Sequence, residues 1–568
     1  MTWRGRHIYL VGLPGAGKSS IGKELVNLLT KSGYEFIDLD EEIVRTTGKT
    51  ISYIFQFDGE EKFREIETQQ LLLVSQRNFD QHPCVIATGG GTPLRAINRS
   101  IMRGSGVVVW VDVTVRQAAK NVVKSLLEGE TRPLLRASSA EDLTEKLRAL
   151  LEERIHFYEQ STMHFVTRSP RGDERTPKEL ADQLLQALEH MSRSIRLRPR
   201  FETFIAKSGM GDYPVAIGSG IAASELGASI RDMNARRAVV ITDENVSKLY
   251  FQKFAQRIIS DQKIPITIHQ IVIAPGESSK DRDTLFEILD SFEKLELSRK
   301  SDVVISLGGG VISDISGLAA SLYNRGLPFV HVPTTLIGQA DAAIGGKTGI
   351  DYKGHKNYLG TFFAPRLVLI DPIFLKSLPK RELNSGLAEV MKYALIGSPV
   401  LWTKLSKSLR RLLRGADSGI EVIIREAVQE KLRYVNSDEF ERKTGVREVL
   451  NFGHTFAHGF ESATNYSSLL HGEAVAIGMR AAAWLSMDLG MLSEEEWSKV
   501  EVVLGRLPIP VTPECTAEQV LVAMRRDKKQ SAGNHRLILL EAIGKAVVRE
   551  NVDEKSIRKA IDFVLSVL

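Results

Sequence analysis

The sequence predicts an α/β protein: a parallel-sheet phosphate-binding unit, a second parallel-sheet unit, and a mostly helical region that binds metal. Three observations predict it. Gly12-Leu-Pro-Gly-Ala-Gly17-Lys18-Ser19 fits the phosphate-loop pattern between an apolar stretch and a helical one. Strand-like and helix-like stretches alternate through residues 1–190 and again through 203–372, as in sheets covered on both faces. Beyond Pro372 the β-branched runs thin out, helical periodicity takes over, and Asn451-Phe-Gly-His454-Thr-Phe-Ala-His458 is followed by His471-Gly-Glu473.

Composition bounds the rest. A chain of 568 residues makes about three or four domains. A hydrophobic fraction of 43% suits a globular α/β protein, and a net charge of +5 favours small anionic substrates over nucleic acid. Cys84 and Cys515 are the only cysteines, too few for a disulfide framework or a cysteine metal site, so a reducing, cytoplasmic setting is expected. No apolar run approaches a membrane span, and the first apolar stretch leads straight into the glycine loop as a strand, not a signal peptide.

In chain order, residues 7–11 read as a strand and Ser19 onward as a helix, with further strands at Tyr34–Leu39, Cys84–Ala87 and Val107–Val113. Leu143–Tyr158 and Lys178–His190 read as amphipathic helices closing this first domain at residue 190. The basic segment around Ser192–Arg200 makes 191–202 a linker. Ala238–Thr242, Val303–Leu307, Phe329–Val332 and Leu367–Ile370 are strand-like, each ending at the glycine, proline or polar residues that a parallel sheet uses for ligand loops. Residues 373–568 form the helical domain, with substrate expected in a cleft between it and the α/β domain of 203–372.

The first site follows from phosphate chemistry. Gly12, Gly15 and Gly17 let backbone N–H groups face a triphosphate at a helix N-terminus. Lys18 would meet the β- and γ-phosphates and Ser19 would help hold Mg²⁺. Asp38 and Asp40 read as two carboxylates at the end of the second strand, one for Mg²⁺ and one for a substrate hydroxyl. Arg64, Gly89-Gly90-Gly91, Arg132 and Arg154 complete the ordered set. From residue 7 to about 170 this set resembles shikimate kinase. The resemblance implies a P-loop kinase domain using ATP and magnesium, with Ser19 and Asp38 at Mg²⁺. It places Asp40, Arg64, Gly89, Gly90, Gly91 and Arg154 around shikimate, and Lys18 and Arg132 on the ATP phosphates, Arg132 from a lid.

The second site follows from metal chemistry. His454 and His458 are four apart, on one face of a helix, with His471 beyond a loop and Glu389 in Gly386-Leu-Ala-Glu389-Val-Met-Lys392. Glu389, His454 and His471 make a His₂Glu zinc set with a position open for a hydroxyl. Gly308-Gly309-Gly310-Val311 opens a helix after a strand, as a dinucleotide pyrophosphate requires, and Asp243 and Asn245 end an earlier strand. The cations Lys280, Arg325, Lys347 and Lys356 lie near glycine turns and imply an anionic substrate.

Over residues 203–568 these motifs closely resemble 3-dehydroquinate synthase. The resemblance implies a Rossmann-like NAD domain and a helical domain holding zinc or cobalt. It implies cyclisation of 3-deoxy-D-arabino-heptulosonate 7-phosphate to 3-dehydroquinate, with phosphate released and NAD regenerated. By motif, Asp243, Asn245, Glu277, Lys280, Gly309, Gly310, Val311, Asp314, Thr334, Thr335, Lys356, Phe374 and Ser377 face NAD. Arg325, Asp341, Lys347, Asn357, Lys392, Lys431, Arg447 and Asn451, with Lys528 or Lys529, hold substrate. His458 and Glu441 move protons beside Lys347. The Glu441–Arg447 segment is about two residues longer than the family spacing, and His355 and Ala457 stand where glycine is frequent.

The expected partners are therefore small molecules, with no nucleic acid and no membrane, and the resemblance implies a homodimer through the synthase half. The competing readings are a metal-dependent polyol dehydrogenase for the C-terminal half, which would release NADH, and a nucleotide-sensing module for the N-terminal half.

Overall fold

The structure, a computed structural model, describes residues 6–77, 82–127, 135, 139–168, 175–194, 199–260, 266–416, 419–442, 445–464, 468–525 and 535–568. It divides into two compact units, Met1–Thr203 and Phe204–Leu568.

The first unit is built on β1 (His7–Val11), β2 (Glu35–Asp38), β3 (Cys84–Ala87), β4 (Gly106–Asp112) and β5 (Met163–Val166), in the order β2-β3-β1-β4-β5. Each adjacent pair is parallel. All five residues of β1 are buried, because helices cover both faces of the sheet. The chain leaves β1 between β3 and β4, where the strand order reverses, so the glycine loop opens into the crevice that parallel sheets offer ligands. β5 went unread because only one of its four residues is buried, which leaves little apolar signal.

The second unit contains β6 (Glu202–Ala206), β7 (Tyr213–Ile217), β8 (Arg237–Asp243), β9 (Thr267–Ile273), β10 (Asp302–Gly308), β11 (Phe329–Pro333), β12 (Lys347–Tyr352), β13 (His355–Phe362) and β14 (Leu367–Ile370). The main sheet runs β6-β7-β14-β11-β10-β8-β9, parallel from β7 to β9. Its order reverses between β8 and β10, which sets Asp243 beside the Gly308–Gly310 turn. β12 and β13 form an antiparallel hairpin, and β15 (His535–Ala542) and β16 (Lys545–Val552) form another within the otherwise helical C-terminal region.

Two expectations shift. Helical geometry persists through Pro177–Ser194 and β6 starts at Glu202, so the proposed linker loses both its ends to regular structure. The amphipathic period simply outlasts the point where the composition turns basic. There is also no break in the apolar core at residue 372: Val215, Ile217, Val368 and Ile370 of the sheet pack in one cluster with Leu387, Met391, Phe456 and Ile477 of the helices. Among the described residues no helix is long and apolar enough to cross a membrane.

Candidate active sites

In the first unit a cavity of about 1300 Å³ is lined by Gly15, Gly17, Lys18, Ser19, Asp38, Asp40, Arg64, Gly89, Gly90, Gly91 and Arg154. Gly15 has φ 80°, and a Cβ there would sit 2.4 Å from the Ala118 carbonyl oxygen, so backbone and neighbour both demand glycine. Lys18 Nζ, buried, donates to the carbonyls of Gly12 at 3.0 Å and Leu13 at 2.9 Å. Gly12 thus supports the lysine from behind the cavity. Ser19 Oγ donates to Asp38 Oδ2 at 2.6 Å, which pairs the two expected Mg²⁺ groups.

Asp38 and Asp40 do not share a strand. β2 ends at Asp38, whose Oδ1 accepts from the Asp40 N–H at 3.1 Å and caps the helix Leu39–Thr47. The two carboxylates reach one cavity because the cap turns the chain there, not because strand residues alternate. Arg64 Nη1 donates to Glu67 at 3.0 Å and Nη2 to Glu60 at 3.1 Å, while Thr92 Oγ1 donates to Glu67 at 2.6 Å. Glu67, fully buried, therefore anchors Arg64. It escaped sequence reading, although its i,i+3 spacing from Arg64 was a signal. Arg154 is buried with no hydrogen bond at Nε, and Tyr158, one turn on, donates to the Gly90 carbonyl at 2.6 Å. Arg132 lies outside the described residues.

In the second unit three helices bring the metal candidates together. Glu389 comes from Lys380–Ile396, His454 begins His454–Ala463, and His471 begins His471–Asp488. Their ligand atoms all lie within 4.8 Å of one another. His454 Nε2 is 3.4 Å and His471 Nε2 3.3 Å from Glu389 Oε1. The Glu389 carboxylate is fully buried and neither oxygen has a hydrogen bond; its contacts are these rings and Lys392, 2.7 Å away. Two imidazoles and an unsatisfied buried carboxylate converging on one point fit a divalent cation of the zinc or cobalt kind. His458 adjoins the set, its ring centroid 5.9 Å from that of His454. Glu473 does not join it: its oxygens bind Arg381 at 2.7 and 2.8 Å and cap the Leu470 N–H at 2.8 Å, a structural task at the start of a helix.

Around the metal candidates the expected anion-binding groups hold one another. Asp341 accepts from Lys431 and from the Tyr393 hydroxyl at 2.7 Å, with Lys392 at 3.6 Å. Burial pushes Asp341 up, but Lys392 and Lys431 reverse this and hold it below the usual carboxylate range. Burial draws Lys431 down to about 8 despite Asp341. Burial also lowers His471, but the carboxylates of Glu389 and Glu461, one facing each ring nitrogen, overcome it and hold the ring up to about 10. Lys347 pairs with Glu441 at 2.5 Å, and Arg447 Nε lies 3.6 Å from the same carboxylate. Asn451 ends the short helix Glu448–Asn451, just before the His454 helix.

The cofactor candidates gather at the strand ends. Asp243 caps the backbone N–H of Asn245 at 2.9 Å, and the Thr334 N–H bonds the Gly308 carbonyl at 2.9 Å. A Cβ on Gly309 would stand 3.0 Å from Thr335, so the glycine turn and that loop adjoin, while Gly310 and Val311 start the next helix. Lys280 binds Asp314 at 2.5 Å and also Asn357. Lys356 lies 3.2 Å from Glu461 and 3.9 Å from Glu277. Tyr250, unnoticed in the sequence, hydrogen-bonds Ser377 and packs edge-on to Phe374 at 4.9 Å. Arg325 is exposed with φ 59° and bonds none of these groups, while Lys528 and Lys529 lie outside the described residues.

Family models match in chain order: shikimate kinase over residues 14–189, the 3-dehydroquinate synthase N-terminal domain over 270–385, and its C-terminal domain over 386–530. The chain is 39% identical over 341 residues to the 3-dehydroquinate synthase of Nitrosospira multiformis, covering 60% of this chain and 91% of that one. The chain belongs to the 3-dehydroquinate synthase family, with a shikimate kinase unit fused ahead of it. The 3-dehydroquinate synthase of Azotobacter vinelandii is 37% identical over 64% of this chain and 96% of its own. Among solved structures, the 2-epi-5-epi-valiolone synthase of Streptomyces hygroscopicus subsp. jinggangensis, with NAD⁺ and Zn²⁺ bound, matches at 33% identity and TM-score 0.57. That match covers 64% of this chain and 99% of the other. Both units are thus of enzyme families, and the synthase relatives are covered almost whole.

Proposed function

We propose that this chain catalyses two reactions of aromatic precursor synthesis: ATP-dependent 3-phosphorylation of shikimate, and cyclisation of 3-deoxy-D-arabino-heptulosonate 7-phosphate to 3-dehydroquinate with release of phosphate. The observation that carries the second is the convergence of Glu389, His454 and His471 on one point beside a buried lysine cluster. A bound Zn²⁺ or Co²⁺ would acidify the substrate C5 hydroxyl, and NAD⁺, which the valiolone synthase relative holds together with Zn²⁺, would supply a hydride acceptor here.

The chain's own residues do the rest. Lys392, Lys431, Lys347, Arg447, Asn357 and Asn451 hold the anionic sugar together with Arg325, whose role rests on the family motif alone. Asp243, Asn245, Glu277, Lys280, Asp314, Thr334, Thr335, Lys356, Phe374 and Ser377 hold the cofactor against the Gly309–Gly310–Val311 turn. His458 and Glu441 carry protons. In the kinase, Lys18 and the loop amides grip ATP with Arg132, and Ser19 and Asp38 serve Mg²⁺. Arg64 and Arg154 hold the shikimate carboxylate over Gly89, Gly90 and Gly91, and Asp40 orients the attacking hydroxyl.

Residues 1–190 serve the kinase, 203–372 the NAD side and 373–568 the metal side. A homodimer through the synthase half and a cytoplasmic location complete the proposal, the latter supported by two free cysteines. The test assays the purified chain with each substrate before and after chelation. Chelation should abolish phosphate release from the heptulosonate and, once Mg²⁺ is restored, spare ADP formation with shikimate. Net NADH accumulation would favour a polyol dehydrogenase instead.

A further inference from the structure

Glu461 lies on the His454–Ala463 helix, seven residues after His454, with only 2% of its surface exposed. Its Oε1 is 3.2 Å from His471 Nδ1 and 3.2 Å from Lys356 Nζ, and Lys356 in turn lies 3.9 Å from Glu277. Glu461 is not one of the three groups whose ligand atoms converge. It faces the opposite nitrogen of the His471 ring from the one that faces Glu389.

We infer that Glu461 is a positioning residue for the metal site: it fixes the Nδ1–H of His471 so that Nε2 is left to ligate, and it ties that ring to Lys356. A neutral imidazole has one donor nitrogen and one acceptor nitrogen, and a carboxylate at Nδ1 selects the tautomer whose lone pair is on Nε2. The negative charge also makes the ring a better donor to a cation, and the same carboxylate restricts its rotation. His454 gets weaker support of this kind, from the Phe452 carbonyl 3.3 Å from its Nδ1. One helix therefore supplies one ligand, His454, and the carboxylate that orients another. Lys356, itself 3.9 Å from Glu277, meets Glu461 from the side where the cofactor candidates gather.

The inference rests on the metal reading of Glu389, His454 and His471. The experiment uses the full chain, stripped with chelator and titrated with Zn²⁺ against a chromophoric chelator. Parallel samples take Co²⁺, whose visible absorption reports the ligand field. Glu461→Gln, of the same size, should bind Zn²⁺ about 10- to 100-fold more weakly and should alter the Co²⁺ bands. Glu461→Asp, which keeps the charge but withdraws it, should fall between that variant and the parent and decides the matter if the glutamine form does not fold. Unchanged Zn²⁺ affinity and unchanged Co²⁺ bands in a folded variant overturn the inference while leaving the metal reading intact, even if the variant melts earlier. A parent chain that takes up no ion sinks both.

Discussion

Gly91 allows a sharp test of how the kinase unit holds its acceptor. A methyl group there would stand 2.5 Å from Arg64 Nη2 and 2.8 Å from its Cζ. Ordinary contact is about 3.5 Å, so the guanidinium must retreat by about 1 Å. The backbone at Gly91, φ −95° and ψ −6°, suits alanine, so no strain confuses the result. Retreat is not free, since Glu67 holds Nη1 at 3.0 Å and Glu60 holds Nη2 at 3.1 Å. A charge-assisted hydrogen bond to the acceptor carboxylate contributes about 1.5–3 kcal/mol. Gly91→Ala should therefore raise KM for shikimate about 10- to 100-fold. The assay follows ADP release against shikimate at saturating ATP, then against ATP at saturating shikimate. KM for ATP should stay within about twofold. An unchanged shikimate KM would refute the proposed role of Arg64, and an equal rise for ATP would mean that the substitution disrupts the unit as a whole.

Three further expectations follow from other contacts. Ser19→Ala removes the 2.6 Å bond to Asp38 and should raise the Mg²⁺ concentration needed for half-maximal kinase rate about tenfold, while phosphate release by the synthase stays unchanged. Lys431, drawn down to about 8 by burial, is charged below that pH and neutral above it, so kcat/KM for the heptulosonate should fall as pH rises through about 8; a profile flat from pH 7 to 9 would remove Lys431 from substrate binding. Stability moves the opposite way: the cost of the buried charge is present below about 8 and is relieved as pH rises toward the ordinary lysine value of 10.5, so this contribution to stability rises over that window. Glu473→Gln weakens the Arg381 pair and the Leu470 cap, so it should lower stability by about 1–2 kcal/mol in thermal melts and leave metal stoichiometry as in the parent.

The sequence disclosed the parts of each site whose chemistry fixes spacing. A phosphate loop must sit between a strand and a helix, and His454 and His458 must share a helix face, so both were legible without neighbours. The partners that hold those groups were not. Glu67 and Glu461 are single carboxylates whose meaning depends on which side chain folds onto them, and Tyr393 reaches Asp341 from a different element altogether. The fully buried β10 was legible, while β9 at the sheet edge and the Lys347–Phe362 hairpin, whose β13 is largely exposed, were missed; β7 was missed too, although all five of its residues are buried, because Tyr213-Pro-Val-Ala-Ile217 is a short run interrupted by proline. Asp38 and Asp40 show a subtler failure: the sequence reads both as the end of one strand, whereas the strand stops at Asp38, which caps the helix that carries Asp40.

The larger site is also balanced in charge in a way that bears on its chemistry. Lys280 faces Asp314, Lys347 faces Glu441, Lys356 faces Glu461, Lys392 faces Glu389, and Lys431 faces Asp341. Each pair joins residues that are distant in sequence or lie on successive turns, so the cations are preorganised before an anionic substrate arrives and need not be gathered by it. Leaving such a cluster unpaired would be costly, since buried like charges repel without solvent to screen them. Under the proposed function, a phosphorylated sugar acid would displace Glu441, Glu389 and Asp341 from Lys347, Lys392 and Lys431, which disfavours loose binding of stray anions. A divalent cation held by Glu389 would compete with Lys392 for the same carboxylate, which lies 2.7 Å from the lysine. The lysine would then be free to turn toward substrate. Under the proposed function, metal and substrate recognition would meet in that one ion pair, whose two residues stand three apart on a single buried helix face.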